Sequence, residues 1–297
     1  MYKTLPGSRG IAYLLLVIAM ACWGGNWVVA RAIALEVPSL SLVFWRTLFF
    51  AGLAYLLARP HLKADWPALR ADWRMISFLA LIGVTGYASC GYTAVHYTTA
   101  TNAALLANTT PFFTALFSWL MLRSTVSPRQ ALGAALALCG AVLIVSRADW
   151  GMLASLQLNP GDMLLILGVV FWALYSVLLQ GRAKMRPETF LFATTAVATA
   201  MAVPGLLWEL SLGETFPLTA RALGALFYLT VFSSFLAFVC YAHAVPVVGA
   251  NVATFFSPLV PVFGTLAAIV FLGESLHAYH YAGFACVGVG VLLAARR

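Results

Sequence analysis

The sequence predicts an all-α integral membrane protein whose ten transmembrane helices form two inverted five-helix repeats. Three observations lead to this fold class: an apolar composition, a series of ten hydrophobic runs, and a second half that resembles the first. The same observations favour a carrier over an enzyme or a soluble binding protein.

The composition is that of a membrane protein. Of the 297 residues, 63% are hydrophobic and 9% charged, and the mean hydropathy is +0.94. A soluble domain usually has about 25% charged residues. Lys3 and Arg9 precede the first run as they would in a signal peptide, but nine runs follow, so we interpret the first run as a retained helix. Lipoprotein processing at Cys22 is disfavoured, because the preceding residues lack the usual aliphatic start.

Ten runs are long enough to cross a bilayer, which takes roughly 20 mainly apolar residues. The predicted helices, here called the first to tenth spans, cover residues 11–34, 38–58, 73–97, 101–122, 128–146, 160–180, 188–210, 218–243, 248–272 and 277–295. The longest connection, "ARPHLKADWPALRADWR", follows the second span. No soluble domain is predicted between the spans.

Basic residues concentrate on one predicted side of the membrane, and such residues mark cytoplasmic segments. With a cytoplasmic N-terminus, the inside segments carry Lys3, Arg9, Arg59, Lys63, Arg70, Arg74, Arg123, Arg129, Arg182, Lys184, Arg186, Arg296 and Arg297. The outside segments carry Arg31, Arg147 and Arg221. This predicts a multi-pass protein of the inner (plasma) membrane with both termini cytoplasmic. The net charge of +8 then reflects orientation in a lipid bilayer, and no nucleic-acid partner is expected.

The chain resembles itself at a spacing of about 150 residues. "NAALLANTTPFFTALFSWLML" from Asn102 matches "NVATFFSPLVPVFGTLAAIVFL" from Asn251. The matched pairs include Pro111 with Pro261, Gly133 with Gly283, Gly140 with Gly290, and Trp23 with Trp172. We therefore predict repeats at 1–147 and 148–297. Because five spans is an odd number, the second repeat enters the membrane from the opposite side, as in many carriers.

Polar and aromatic residues cluster on the first, third, fourth, sixth, eighth and ninth spans, which predicts an inner ring around a central path. Such groups are costly in lipid and normally face a cavity or another helix. The candidate substrate-binding side chains are Trp23, Asn26, Trp27, Tyr87, Tyr92, Asn102, Asn108, Trp172, Tyr175, Ser176, Tyr228 and Asn251. In "CWGGNW", the paired glycines would let a neighbouring helix approach.

Three prolines are candidate hinges or kinks: Pro111, Pro258 and Pro261. Each releases a carbonyl one turn back, at Ala107, Thr254 and Ser257 respectively. A substrate ammonium or a water could bind such a carbonyl, or a neighbouring hydroxyl could satisfy it within a static kink.

Charged and titratable residues inside the spans are few. No Asp or Glu lies deep in a predicted span, so the sequence shows no proton-relay carboxylate. Arg46 could pair with a substrate carboxylate, but a structural salt bridge or snorkelling is favoured; His96 and His243 are interpreted as interfacial. Enzyme motifs, metal-ligand spacings and cofactor motifs are not found in the sequence.

The fifth and tenth spans carry small residues at helical spacing. Gly133 and Gly140, and Gly283 and Gly290, allow close approach of backbones. They predict packing between helices of one chain, and a homodimer is the open alternative.

Three stretches carry a family resemblance: "CWGGNWVVAR", "PFFTALFSWLMLRSTVSPRQALGAALALCGAVLIV" and "PVFGTLAAIVFLGESLHAYHYAGFACVGVGVLL". They resemble the duplicated EamA-type domain of the drug/metabolite transporter (DMT) superfamily, and the aromatic-rich helices resemble the YddG-type aromatic amino-acid exporters. The resemblance implies ten helices, inverted repeats and export through a central cavity. Two features depart from the superfamily: Leu122-Arg123-Ser124 replaces a Leu-Gly-Glu ending, and the first span lacks the membrane Glu of small multidrug exporters.

The hypothesis from sequence is a carrier that exports neutral and hydrophobic amino acids, aromatic ones included, by alternating access. Export of another metabolite or drug, such as a purine or a sugar phosphate, is an alternative. A non-transporting membrane scaffold is another.

Overall fold

The computed structural model describes residues 9–98, 103, 106–149, 151, 159–181, 185–272 and 275–295, and these residues form helices and turns without strands. Within them, nine helices are long and apolar enough to cross a membrane, and a tenth apolar helix is shorter. The nine are Arg9–Ile33, Ser39–Ala58, Trp73–Ala94, Pro128–Val145, Pro160–Leu178, Pro187–Ser211, Ala220–Val248, Ala250–Ala267 and Ala278–Ala295, and the shorter one is Thr110–Leu122. The predicted fold class is confirmed.

The two halves of the chain interlock through equivalent spans. The second span packs along the seventh and the fifth along the tenth. The first span packs on the eighth and ninth, and the sixth packs on the third and fourth. Each contact becomes another contact of the same set when the halves are exchanged, as two inverted repeats require.

Several spans are interrupted near mid-membrane, and the interruptions fall at matching places in the two halves. A wide π-helical turn interrupts the third span at Leu81–Gly86 and the eighth at Leu229–Leu236. The fourth span begins at Thr110 after a turn, and the ninth divides into Ala250–Thr254 and Leu259–Leu272. The prediction of one continuous fourth helix over 101–122 is wrong, because Asn108 and Thr109 form the turn before it.

The long connection after the second span is itself a helix, Leu62–Ala71, where the sequence had suggested only a link. Its buried Asp65 accepts hydrogen bonds from the Thr189 hydroxyl at 2.7 Å and the Arg186 amide at 3.3 Å. Those donors lie at the start of the seventh span. The carboxylate therefore stabilises a helix N-terminus, where negative charge is favoured.

Glu209 stabilises the N-terminus of the second span in the same way. Near the end of the seventh span, its buried carboxylate accepts the backbone amides of Leu40 at 2.8 Å and Ser41 at 2.6 Å. Glu209 thus joins the seventh span to the second, and Asp65 joins the connecting helix Leu62–Ala71 to the seventh. Buried acids are present in this protein, but Asp65 and Glu209 bind helix ends and not a proton path.

The small-residue faces of the fifth and tenth spans pack against each other within the chain. A Cβ on Gly140 would lie 2.7 Å from the Gly283 carbonyl oxygen, and one on Gly290 would lie 2.5 Å from the Ala137 amide nitrogen. The prediction of helix packing is confirmed. This face is occupied within one chain, so it does not supply the surface for a homodimer.

Candidate functional site

A cavity of about 630 Å³ lies between the two halves. Its volume is that of a typical small-molecule site. Its wall comes mainly from the first, third, fourth, sixth, eighth and ninth spans, as the polar clustering predicted. It reaches the protein surface beside Arg147, Ser275 and His277, which are exposed. We call this end of the bundle the open end.

One side of the cavity is a polar wall made by Asn26, Arg46, Tyr92 and Ser233. The Asn26 Oδ1 accepts the hydroxyl hydrogen of Ser233 at 2.7 Å and that of Tyr92 at 3.1 Å. Arg46 Nη1 donates in turn to Tyr92 Oη at 3.0 Å. The wall joins both halves of the chain, because Ser233 belongs to the second and the other three residues to the first.

Arg46 is a buried cation that lines the cavity. It is 5% exposed, its guanidinium carbon lies 5.2 Å from the Tyr92 ring centroid, and its Nε makes no hydrogen bond. No Asp or Glu in the described parts of the chain forms an ion pair with it. Among the described residues, the structure shows no salt bridge at Arg46, and the side chain is buried, whereas a structural salt bridge or snorkelling was the favoured interpretation from sequence. A buried charge without a counter-ion is costly and is well suited to an anionic group of a ligand.

The bottom of the cavity is aromatic. Trp23, Tyr87, Trp172 and Phe238 form what we call the aromatic floor. Trp172 is its centre, with ring centroids at 5.1 Å from Tyr87, 5.2 Å from Trp23 and 5.5 Å from Phe238. Trp172 lies twelve residues after Pro160 and thus roughly 18 Å along the sixth span, near the middle of a bilayer. The floor offers an apolar surface for a ligand side chain.

Beneath the floor the bundle is closed. Tyr175 and Tyr241 are each 1% exposed, and Ser176 is fully buried. The Ser176 and Tyr241 hydroxyls are hydrogen-bonded at 2.8 Å, and the Ser176 hydroxyl also donates to the Trp172 carbonyl. A Cβ on Gly83 would lie 2.1 Å from the Tyr175 ring, so the wide turn of the third span packs directly on that ring. This packing separates the cavity from the opposite, closed end.

The glycines of "CWGGNW" have the predicted role. The first span breaks at Gly25, and a Cβ on Gly24 would lie 2.9 Å from the Gly264 amide nitrogen on the ninth span. A Cβ on Gly25 would lie 2.4 Å from the hydroxyl oxygen of Tyr228, which donates to the Cys22 carbonyl. Tyr228 therefore supports the first span from outside the cavity.

The predicted binding residues separate into three groups. Those that line the cavity are Trp23, Asn26, Tyr87, Tyr92, Asn108 and Trp172. Those that the structure places away from its lining are Tyr175, Ser176, Tyr228 and Asn251. Asn102 and the side chain of Trp27 lie outside the described residues. The structure thus brings half of the candidates together at one site.

The three prolines lie at the interruptions of the fourth and ninth spans, in or just before the first turn of the helix that follows. Pro111 lies in the first turn of Thr110–Leu122, Pro258 in the turn before Leu259–Leu272, and Pro261 in the first turn of that helix. Of the three, Pro261 lines the cavity.

The carbonyls expected to be released by these prolines all have donors. The Ala107 carbonyl accepts from the Thr110 hydroxyl at 2.6 Å. The Thr254 carbonyl accepts from the Ser257 amide at 3.0 Å, and the Ser257 carbonyl from the Val260 amide at 2.9 Å. Satisfaction within the protein was the second of the two sequence interpretations, and it is the one observed.

Sequence reasoning missed the mouth of the cavity, where Arg147, His277, Tyr279 and His280 line the open end. Arg147 had been interpreted only as a topology marker. His277 and His280, three residues apart at the start of the tenth span, are one turn apart on a helix and could have been noticed for that spacing.

The other histidines lie elsewhere. The Nε2 of His243 is 3.8 Å from the Glu188 carboxylate at the closed end. His96 lies in the last turn of the third span, within the helix Tyr87–Tyr97. Neither residue lines the cavity. In the described part of the chain, no three His, Cys, Asp or Glu side chains form a possible metal site.

Comparison with known proteins gives the class to which this architecture belongs. The model of the EamA-like transporter family matches residues 10–146 and 159–296. The chain therefore belongs to the EamA-like transporter family, and it is a multi-pass membrane protein.

Relatives that are similar in sequence occur in archaea and bacteria. An uncharacterized transporter of Archaeoglobus fulgidus is 31% identical, with 88% of this chain and 89% of that protein covered. The uncharacterized transporter YetK of Bacillus subtilis is 26% identical, with 95% of this chain and 86% of that protein covered. A solved crystal structure with 20% identity has a TM-score of 0.79 over 97% of each chain and shows the same fold. The family and fold are thus defined, and the narrower YddG-type resemblance stays a prediction.

Proposed function

We propose that this transporter exports neutral and hydrophobic amino acids, aromatic ones included, across the inner membrane by alternating access. The observation that carries the proposal is Arg46, a buried guanidinium that lines the cavity and has no ion-pair partner among the described residues. A substrate carboxylate at this position would offset the cost of the buried charge.

The aromatic floor supports the second half of the proposal. An amino acid whose carboxylate binds Arg46 would place its side chain on Trp23, Trp172 and Phe238. Apolar side chains gain free energy from such contact, and aromatic ones gain an additional ring interaction of about 1 kcal/mol. The floor consists of large aromatic rings, so we expect a broad range of substrates with apolar side chains.

Alternating access is supported by the interrupted spans. The third, fourth, eighth and ninth spans are all interrupted near the cavity, and equivalent interruptions occur in both halves. Broken helices around a midplane site are a feature of carriers with inverted repeats. With the predicted cytoplasmic termini, the open end faces outwards, which is the conformation an exporter needs for release.

The test is flux through purified protein in liposomes. We expect counterflow of phenylalanine and leucine to exceed that of protein-free liposomes, with or without a pH gradient, since no acidic residue is found among the described residues that line the cavity. A panel with adenosine and glucose 6-phosphate tests the alternative metabolites. Absence of amino-acid flux under both conditions would contradict the proposal, and absence of every flux would favour a scaffold.

A further inference from the structure

We infer that the cavity recognises the carboxylate of its substrate and not the ammonium group, so that it also transports organic acids in which the amino group is replaced by a hydroxyl. This inference rests on the proposed carboxylate site at Arg46. It extends the substrates from amino acids to monocarboxylate anions with an apolar or aromatic side chain.

Among the described residues, the Lys, Arg, Asp and Glu side chains that line the cavity are Arg46 and Arg147, both cations. Arg46 lies within the cavity, and Arg147 lies at its mouth with His277 and His280. Among the described residues that line the cavity there is no Asp or Glu. A site that binds an ammonium group usually has a carboxylate near it, because a desolvated cation needs a counter-charge or several hydrogen-bond acceptors. The path is instead suited to anions.

The amide oxygen of the polar wall is saturated, and a guanidinium donor of the wall remains available to a ligand. The Asn26 Oδ1 already accepts two hydrogen bonds, and the hydroxyl hydrogens of Tyr92 and Ser233 are both spent on it. The Tyr92 oxygen accepts from Arg46. Within the polar wall, the buried Nε of Arg46 is a donor without a hydrogen-bond partner. Donors bind a carboxylate and cannot bind an ammonium.

The three backbone carbonyls considered from sequence are engaged within the protein. An ammonium could have been held by the carbonyls that the prolines were expected to release. Those of Ala107, Thr254 and Ser257 each accept a hydrogen bond within the protein. The amino group of an amino acid is therefore tolerated in the cavity without contributing much to its binding.

Three matched compounds distinguish recognition of the substrate's carboxylate from recognition of its ammonium group. Phenylalanine carries both charged groups, 3-phenyllactate replaces the ammonium by a hydroxyl, and phenethylamine lacks the carboxylate. The experiment measures inhibition of phenylalanine counterflow by each compound, and direct counterflow of 3-phenyllactate, in proteoliposomes with protein-free liposomes as the leak control.

We expect 3-phenyllactate to inhibit and to be carried with an apparent affinity equal to or better than that of phenylalanine. Phenethylamine should be weaker by about tenfold or more, since it loses the charge-assisted bond to Arg46. The Arg46→Gln variant should lower the apparent affinities for phenylalanine and 3-phenyllactate by a similar factor. Arg46→Lys keeps the charge and should lower them less.

The outcomes distinguish the two proposals. Counterflow of phenylalanine without inhibition or transport by 3-phenyllactate would overturn this inference and leave the amino-acid carrier standing. Inhibition by phenethylamine equal to that by 3-phenyllactate would also overturn it. Counterflow of 3-phenyllactate without that of phenylalanine would support anion recognition and contradict amino-acid export. If neither compound moves and neither binds, both proposals fail.

Discussion

The indole Nε1 of Trp23 donates a 2.8 Å hydrogen bond to the backbone carbonyl of Ser233. Trp23 belongs to the first half of the chain, and Ser233 lies in the wide turn of the eighth span in the second half. The Ser233 hydroxyl binds Asn26, so one residue connects the aromatic floor to the polar wall. Movement of the first span against the eighth would therefore alter the aromatic floor and the polar wall together.

Trp172 is expected to determine the affinity for aromatic side chains. Trp172→Ala should lower the apparent affinity for phenylalanine about tenfold more than the apparent affinity for the substrate alanine. The reason is that the substitution removes the centre of the floor and its ring contacts. Competition in counterflow measures both affinities. Trp119→Ala is the control, since Trp119 is 52% exposed. Equal losses for phenylalanine and alanine would show that the floor does not bind the side chain.

Asn26 is expected to be needed for transport. Asn26→Leu removes the acceptor of the Tyr92 and Ser233 hydroxyls and so leaves Arg46 without a fixed neighbour. We expect the variant to insert and remain monodisperse in detergent, with phenylalanine counterflow reduced by about tenfold or more. Asn251→Leu, at a residue outside the cavity lining, should retain flux. Undiminished flux for Asn26→Leu would reduce the residue to a packing role.

The glycine contact between the fifth and tenth spans is expected to govern stability. Gly140→Ala places a methyl group 2.7 Å from the Gly283 carbonyl oxygen, and we expect a loss of about 1–3 kcal/mol from overpacking. Gly288→Ala is the matched control on the tenth span, because its Cβ would meet nothing within 4 Å. The melting temperature in detergent measures both. A melting temperature as high for Gly140→Ala as for Gly288→Ala would contradict the packing.

The carboxylates at the helix ends are expected to stabilise the fold without serving transport. Glu209→Gln weakens the bonds to the amides of Leu40 and Ser41 and removes a charge at a helix N-terminus, at a cost of about 1 kcal/mol. Asp65→Asn should lower the free energy of unfolding by a similar amount, because Asp65 binds the N-terminal end of the seventh span. Glu214→Gln, at an exposed residue, is the control. The melting temperature is the readout, and a specific loss of flux in a stable Glu209→Gln protein would point to a role in coupling.

Much of the fold could be predicted because hydrophobic length is a local signal. The spans, the inner ring and the glycine contacts all follow from runs, spacings and the internal repeat. The helix Leu62–Ala71 was missed because Pro67 and several charges give its sequence the character of a loop. The break before Thr110 was missed because Pro111 can either kink a helix or begin one.

The site could be predicted only in part, because the direction of a side chain depends on tertiary packing. Trp23, Asn26 and Trp172 were found from their position inside apolar runs. Tyr175 has the same sequence character, but it lies one turn below the floor and packs on Gly83. Arg46 was misjudged because nothing in the second span reveals that its neighbours lack a carboxylate.

The most direct test of the central claim compares phenylalanine counterflow for the wild type, Arg46→Gln and Arg129→Gln. Arg129 is exposed on the fifth span and does not line the cavity. The Arg129→Gln substitution therefore removes the same charge as Arg46→Gln without altering the cavity. We expect Arg46→Gln to raise the half-saturating phenylalanine concentration by about tenfold or more and Arg129→Gln to leave it unchanged. Equal half-saturation in all three proteins would contradict a carboxylate site at Arg46.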